Sequence, residues 1–482
     1  MTEQEAIELC KNDPKAAAKI IIMVEKLQEL VALQEIRIKE LEERLNMNSS
    51  NSSKPPSTDN KLKKDKKGTT SSKKKRGAQK GHKGNTLKMS AAPNKVEHLE
   101  PMKCECCGKS LKKCDSLKIE RRQLFDLPKI EMYITEYQAH TKRCPHCHTL
   151  NKAEFPVDIN SSAQYGNKLK SFVSYLNAYQ MLPYERITEL IEDLTSHKIS
   201  TGTIYNFLNT HYDTLEDFEE ILKQKLLNEE VLHSDETGIN VAKKLHWIHV
   251  ASSSLFTCYM LHIKRGNIAM DEMGILPSFK GILIHDHWKP YNKYTDITHS
   301  YCNAHILREL DGITQNNKVQ WSQDMHSLLT KMNIAVHKAK NSDKGCISAN
   351  QIKKFTKNYE KIIKAAFNLY PLAKSPPKKQ KGKLKQPKAK NLLDRLSNYQ
   401  DETLRFLNDF RVPFTNNQAE KDLRMIKVKE KISGSFVSFK GGEIFCRIRS
   451  YISTLKKNQL PVFKGLESAL SGDLLLPVGV RG

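Results

Sequence analysis

Val231-Leu232-His233-Ser234-Asp235 opens the stretch on which the fold turns. Leu245-His246-Trp247-Ile248-His249-Val250-Ala251 and Leu255-Phe256-Thr257-Cys258-Tyr259-Met260-Leu261 follow it. Both are short apolar runs rich in β-branched and aromatic residues, which read as strands. A helical stretch, Ile268 to Met273, then leads to Gly281-Ile282-Leu283-Ile284-His285-Asp286. The order is strand, strand, strand, helix, strand, and an acid closes the first and fourth strands.

An RNase H-like core has that order, with its first and fourth strands side by side. Asp235 and Asp286 are therefore expected to be neighbours although 51 positions separate them. A third acid, Glu420, follows Phe414-Thr415-Asn416-Asn417, where Thr415 or Asn416 can cap a helix from Gln418 to about Lys429. Arg424 and Lys427 lie four and seven residues on, on the face of Glu420, with Ala419, Leu423 and Ile426 as an apolar stripe beside it. Read alone, Glu420 and Arg424 make an ordinary helical ion pair. Taken with two strand-end aspartates, Glu420 completes the carboxylate set of a two-metal phosphodiester centre. Hard divalent cations prefer carboxylate oxygens, and two ions about 3.5–4 Å apart can hold the attacking and leaving oxygens. The 134 positions between Asp286 and Glu420 imply an insertion, and residues 307–410 read as mostly helical.

The chain has 482 residues, enough for two to four domains, and a formal net charge of +25. Residues 61–83 hold eleven Lys or Arg against one acid, and residues 374–390 hold eight Lys and no acid. Most of the excess charge thus sits in two tracts, which read either as phosphate contacts or as solvated linkers. Within Arg76-Gly77-Ala78-Gln79-Lys80-Gly81-His82-Lys83-Gly84, the cations Arg76, Lys80 and Lys83 could meet a nucleic-acid backbone. No signal peptide or apolar run long enough to span a bilayer is apparent, so a cytoplasmic, nucleoid-associated protein with no membrane partner is expected.

Residues 20–48 carry a heptad pattern: Ile20, Leu27, Gln34 and Leu41 at one seam position, Val24, Val31, Ile38 and Leu45 at the other. This reads as a short coiled coil joining copies of the chain, or as an amphipathic helix packed on its own protein. Asn48 to Ser57 must end it. Six of eleven cysteines fall between 104 and 147. Cys104 with Cys107 and Cys144 with Cys147 form two CxxC knuckles, the pattern of a four-thiolate structural Zn²⁺ site, with Cys106, His146 and His148 as substitute ligands and Cys114 unassigned. Buried free thiols are the other reading. Lys129 to Tyr137 alternates as a strand would. Around Ser196-His197-Lys198, two helices read as a helix-turn-helix offering Thr201 and Thr203 to a DNA groove, or as a plain helical pair. Cys302 and His305 have ligand-like spacing, although a buried Cys and a hydrogen-bonded His explain it as well.

These segments resemble the insertion-sequence-66 family of bacterial transposases, specifically the large transposase protein. The likeness runs through residues 51–57, 76–84, the paired knuckles, Leu182 to Arg186, Ser234 to Thr237, His285 to Trp288, Cys302 to His305 and Asn416 to Arg424. It implies a DDE transposase that binds terminal inverted repeats, hydrolyses DNA at element ends with two Mg²⁺ ions (or Mn²⁺), and transfers the 3′-hydroxyl into target DNA. Asp235, Asp286 and Glu420 match the family acids. Lys427 matches the basic residue after the glutamate, and the Cys302 and His305 pair matches a further site feature. The resemblance also makes small accessory proteins of the same element plausible partners, beside a homo-oligomer. A metal-dependent nuclease or resolvase that does not join, or a catalytically dead DNA-binding regulator, are the rival readings.

The expected architecture is α/β, with a coiled coil (1–48), a basic linker (49–95), a zinc-binding domain (96–156) and a helical, DNA-binding-like domain (157–229). An RNase H-like DDE core in two parts (230–306 and 411–460) flanks a helical insertion (307–410), and a tail (461–482) follows.

Overall fold

A computed structural model describes residues 3–49, 51–52, 86–342, 345–370 and 386–477. The whole first basic tract (61–83, with Arg76, Lys80 and Lys83) and residues 374–385 of the second lie outside the described residues.

Helix α1 (Glu3–Asn12) precedes a 33-residue helix, α2 (Pro14–Asn46). Asp13 caps α2 by accepting from Lys15 and Ala16, and Pro14 takes a position where no backbone donor is needed. Strands β1 (Thr141–Arg143) and β2 (Leu150–Lys152) form an antiparallel hairpin around the second CxxC. Lys129–Tyr137 forms no strand and pairs with no other segment among the described residues, and Tyr133 and Ile134 are exposed. Alternation marks an extended segment, but a ladder needs a second one.

Helices α3 (Asn167–Ser174, continued by a π-turn, Tyr175–Tyr179), α4 (Tyr184–Thr195), α5 (Thr201–Thr214) and α6 (Glu216–Leu227) follow. The second sheet comprises β3 (Val231–Val241), β4 (Lys244–Ser252), β5 (Thr257–His262), β6 (Ile282–His285) and β7 (Thr298–Tyr301), in the order β5-β4-β3-β6-β7. The first three run antiparallel, while β3–β6 and β6–β7 are parallel. Helix α7 (Asn267–Met273) lies between β5 and β6.

Two apolar clusters flank this sheet. Leu283 joins one, while its neighbours Ile282 and Ile284 join the other, as strand alternation requires. The first cluster unites the strands with α13 (Asn417–Ser433), α14 (Phe439–Lys457) and α3–α6, so the helices before the sheet share its core. The second belongs to α8 (Asn303–Asn317), α9 (Gln320–Asn341), α10 (Ala349–Phe367), α11 (Lys388–Asn398) and α12 (Gln400–Asn408). The segment expected as a plain tail contains α15 (Val462–Leu470), whose Leu466 and Ala469 are buried among α3, α5 and α14. Among the described residues no helix is long and apolar enough to cross a membrane.

Candidate functional site

Asp235 does not end its strand. It is the fifth of eleven residues in β3, which continues through the β4 hairpin to Val241. What ends near Asp235 is the parallel pairing. His233 is level with Ile284, and two further residues along each chain lie Asp235 and Asp286. Asp286 sits one residue beyond β6. Both acids are therefore delivered just past the same end of the parallel β3–β6 pairing, whose strands lie about 4.8 Å apart.

Glu420 arrives on the first turn of α13, which packs against β3 and β4. Asn416 sets that helix in place. It is fully buried, and its amide donates to Ser234 O (2.8 Å) and pairs with His233 Nδ1 (2.9 Å). Its backbone N–H donates to Cys302 Sγ (3.1 Å), and its carbonyl accepts from Glu420 N–H (3.2 Å). The anticipated cap is thus spent on tertiary contacts, and its side chain makes no capping bond.

The carboxylates act on one another. Burial, then the charges of Glu236 and Asp286, and more weakly that of Glu420, push Asp235 well above the ordinary carboxylate range. Burial also raises Asp286, although the Trp288 N–H donates to its Oδ1 (2.9 Å). Glu420 Oε1 is buried without a hydrogen-bond partner, and it faces Arg308 (3.7 Å) and the His305 ring (3.8 Å), which burial keeps neutral by lowering it to about 4, rather than Arg424. An all-oxygen donor set whose negative charge Arg308, Arg265 and Arg395 offset only in part fits hard divalent cations.

Sequence reading missed the support beside these acids. Glu236 is buried and accepts from Arg265 (2.8 Å at Nε) and the Tyr291 hydroxyl (2.7 Å). The Arg265 guanidinium stacks on Trp247 and Trp288, 4.9 and 4.3 Å from the ring centroids. The adjacency of Asp235 and Glu236 was the available signal. On α13, Asp422 accepts from Ser252 (2.6 Å) and Lys457 (2.9 Å), tying α13 and α14 to β4. His233, His285 and His287 are held neutral, chiefly by burial, which lowers His233 to about 4 and His285 to about 3.

The other expected residues divide. Lys427 donates to the Gly238 carbonyl and pairs with Glu430 (3.0 Å), while Arg424 is exposed. Ser200 caps α5 by accepting from Thr203 N–H (3.1 Å), with Thr201 exposed and the Thr203 hydroxyl 3.0 Å from Ser200 Oγ.

The two CxxC turns repeat one design. Cys104 N–H donates to Lys109 O and Gly108 N–H to Cys104 O; Cys144 N–H donates to Thr149 O and His148 N–H to Cys144 O, each at 2.9 Å. Gly108 and His148 take the same left-handed conformation (φ 68° and 60°). Hydrogen bonds from the Cys107 and Cys106 backbones lower Cys104, and the Thr149 hydroxyl brings Cys147 down to about 7. Thiols poised toward thiolate suit Zn²⁺. Among the described residues, however, the knuckles do not gather into one ligand shell. The region is mostly exposed, so no apolar core draws them together, and such small domains draw their folding energy from the metal.

No curated protein shows a significant match to the chain. Three family models do match. Residues 6–88 match a family of unknown function, and residues 101–148 match the zinc-finger binding domain of transposase IS66, which supports a structural zinc. Residues 162–444, spanning the helices before the sheet, the sheet, the inserted helices and Glu420, match the transposase IS66 family. That match covers more than half of the sequence, and the chain belongs to the IS66 transposase family.

Proposed function

We propose that the chain is a DDE transposase on an RNase H-like core, with Asp235, Asp286 and Glu420 as the catalytic acids and Mg²⁺ ligands. The observation that carries this reading is their convergence: Asp235 feels the charges of both other acids from strands and a helix far apart in sequence. The strand order β5-β4-β3-β6-β7, antiparallel then parallel, supports the fold assignment. Two Mg²⁺ ions, or Mn²⁺, would supply Lewis acidity to the attacking and leaving oxygens of a phosphodiester. The three carboxylates hold that charge, Asn416 keeps Glu420 against β3, and the Arg265–Glu236–Tyr291 network braces Asp286 through Trp288.

Terminal inverted repeats are cut to leave a 3′-hydroxyl, which then attacks target DNA. The zinc region, Thr201, Thr203, Arg424 and the basic residues Arg76, Lys80 and Lys83 supply DNA contacts. Lys427, already bonded to β3, acts from within the site wall. The α2 seam joins copies of the chain, so that two element ends are handled together, with small accessory proteins of the element as further partners.

Labelled element ends incubated with protein, Mg²⁺ and a target plasmid test this directly. Joined products are expected, and Glu420→Gln should lower strand transfer by roughly a thousandfold, about 4 kcal/mol of transition-state stabilisation. Nicks without joined products would favour the nuclease, and full activity of Glu420→Gln would remove it from the metal centre.

A further inference from the structure

Cys302 is the N-cap of α8 and His305 lies within the first turn of that helix. Spacing of three at a helix start sends both side chains toward one point. Glu420, on α13, reaches the same point: the Cys302, His305 and Glu420 donor atoms all lie within 4.8 Å of one another, the one such group of three among the described residues.

Three observations separate this group from ordinary packing. His305 Nδ1 and Glu420 Oε1 are both buried, and neither has a hydrogen-bond partner. Buried polar atoms without partners are uncommon, and each needs a cause. Their separation, 3.8 Å, is too long for a hydrogen bond. Two ligands each about 2.0–2.2 Å from one ion end up at a comparable or slightly shorter distance. Finally, Cys302 is only 1% exposed, and its sulfur accepts the Asn416 backbone N–H at 3.1 Å. An N–H donated to sulfur orients a thiolate ligand and stabilises its negative charge.

We propose that Cys302, His305 and Glu420 form a binding site for a thiophilic divalent transition metal of the Zn²⁺ or Co²⁺ class. A thiolate, an imidazole and one carboxylate oxygen are three ligands of a tetrahedral shell, with a fourth position for water. The thiol proton passes to solvent as the metal–sulfur bond forms. The donor chemistry is softer than that of the Asp235 and Asp286 carboxylates, so the two sites select different ions. Glu420 has two carboxylate oxygens, and binding through Oε1 leaves Oε2 for the hard-cation centre. The site competes with the Arg308 guanidinium, 3.7 Å from Oε1. Its effect is to pin α13 to the first turn of α8, where the inserted helices leave the sheet.

Cadmium-113 resonance on the full chain, stripped of metal under reducing conditions and reloaded with ¹¹³Cd²⁺, tests the proposal. A one-sulfur site gives a line well upfield of a tetrathiolate site. The expected result is both lines in the wild type, with the upfield line and one equivalent of cadmium lost in Cys302→Ser and in His305→Gln. Cys104→Ser should remove the tetrathiolate line alone, and saturating Mg²⁺ should displace neither. His305→Gln keeps the thiol in place, so a folding defect of Cys302→Ser does not decide the outcome. Absence of the upfield line from the wild type, its persistence in both variants, or its erasure by Mg²⁺ would overturn the proposal. The readout is independent of DNA cleavage, so it stands or falls separately from the transposase chemistry.

Discussion

Burial and the carboxylates of Glu236, Asp286 and Glu420 all act on Asp235 in one direction, raising its pKa. Below its ordinary value of 3.8, Asp235 is protonated in folded and unfolded chains alike, and nothing is lost. Between that value and the raised one, the folded chain holds a proton that the unfolded chain has released, so stability falls as pH rises. Above the raised value the penalty is complete. Asp235→Asn should therefore raise the thermal midpoint of the metal-free protein at pH 7, by roughly 2–4 °C for each kcal/mol relieved, while abolishing strand transfer. Mg²⁺ should raise the wild-type midpoint and have little effect on the variant. Calorimetry at pH 4 and pH 7 checks both claims, and a variant less stable than wild type at pH 7 would contradict the charge argument. The three acids could be picked from sequence because each borders an apolar run or a helix start. Asn416 could not be picked as their organiser, since Asn before a helix reads first as a local cap.

At the level of elements, α2 leaves its heptad seam in solvent. Ile20, Val24, Leu27, Val31, Ile38, Leu41 and Leu45 are between 38% and 75% exposed along a helix about 50 Å long. In the proposed oligomer a second copy of α2 would cover this seam, with Gln34 limiting register or strand number. Leu27→Glu should convert the assembly to monomers in sedimentation velocity while leaving the sheet domain folded; a wild type that is already monomeric would remove the oligomer from the proposal. Strand β3 carries the reverse lesson. Polar Glu236 and Asn240 and the small Gly238 hid its second half, so the sequence pattern stopped at Asp235. The hairpin continues because Ala242 and Lys243 both turn with positive φ (48° and 64°), without the usual Gly or Asn.

Across the whole molecule, the end of α2 is docked on the inserted helices. Asn51 is buried, donates to Gln315 (3.0 Å), and places its carbonyl where a Cβ on Gly312 would lie 2.3 Å away. Lys388 of α11 meets Glu43 of α2 (3.4 Å). Gly312→Ala should therefore release the 43–52 segment without unfolding α8, seen as faster amide exchange confined to that segment; unchanged exchange would mean that α8 shifts to accommodate the methyl. The order of the first four strands, the run of helices before α13 and the nearness of Asp235 to Asp286 were legible in the amino-acid sequence because they rest on local period and chain order. The sharing of one core by α3–α6 and the sheet, the packing of α15, the clamp at Asn416 and the meeting of Cys302 and His305 with Glu420 were decided by tertiary structure alone. Each depends on which faces of remote elements are brought together, and no local pattern encodes that choice.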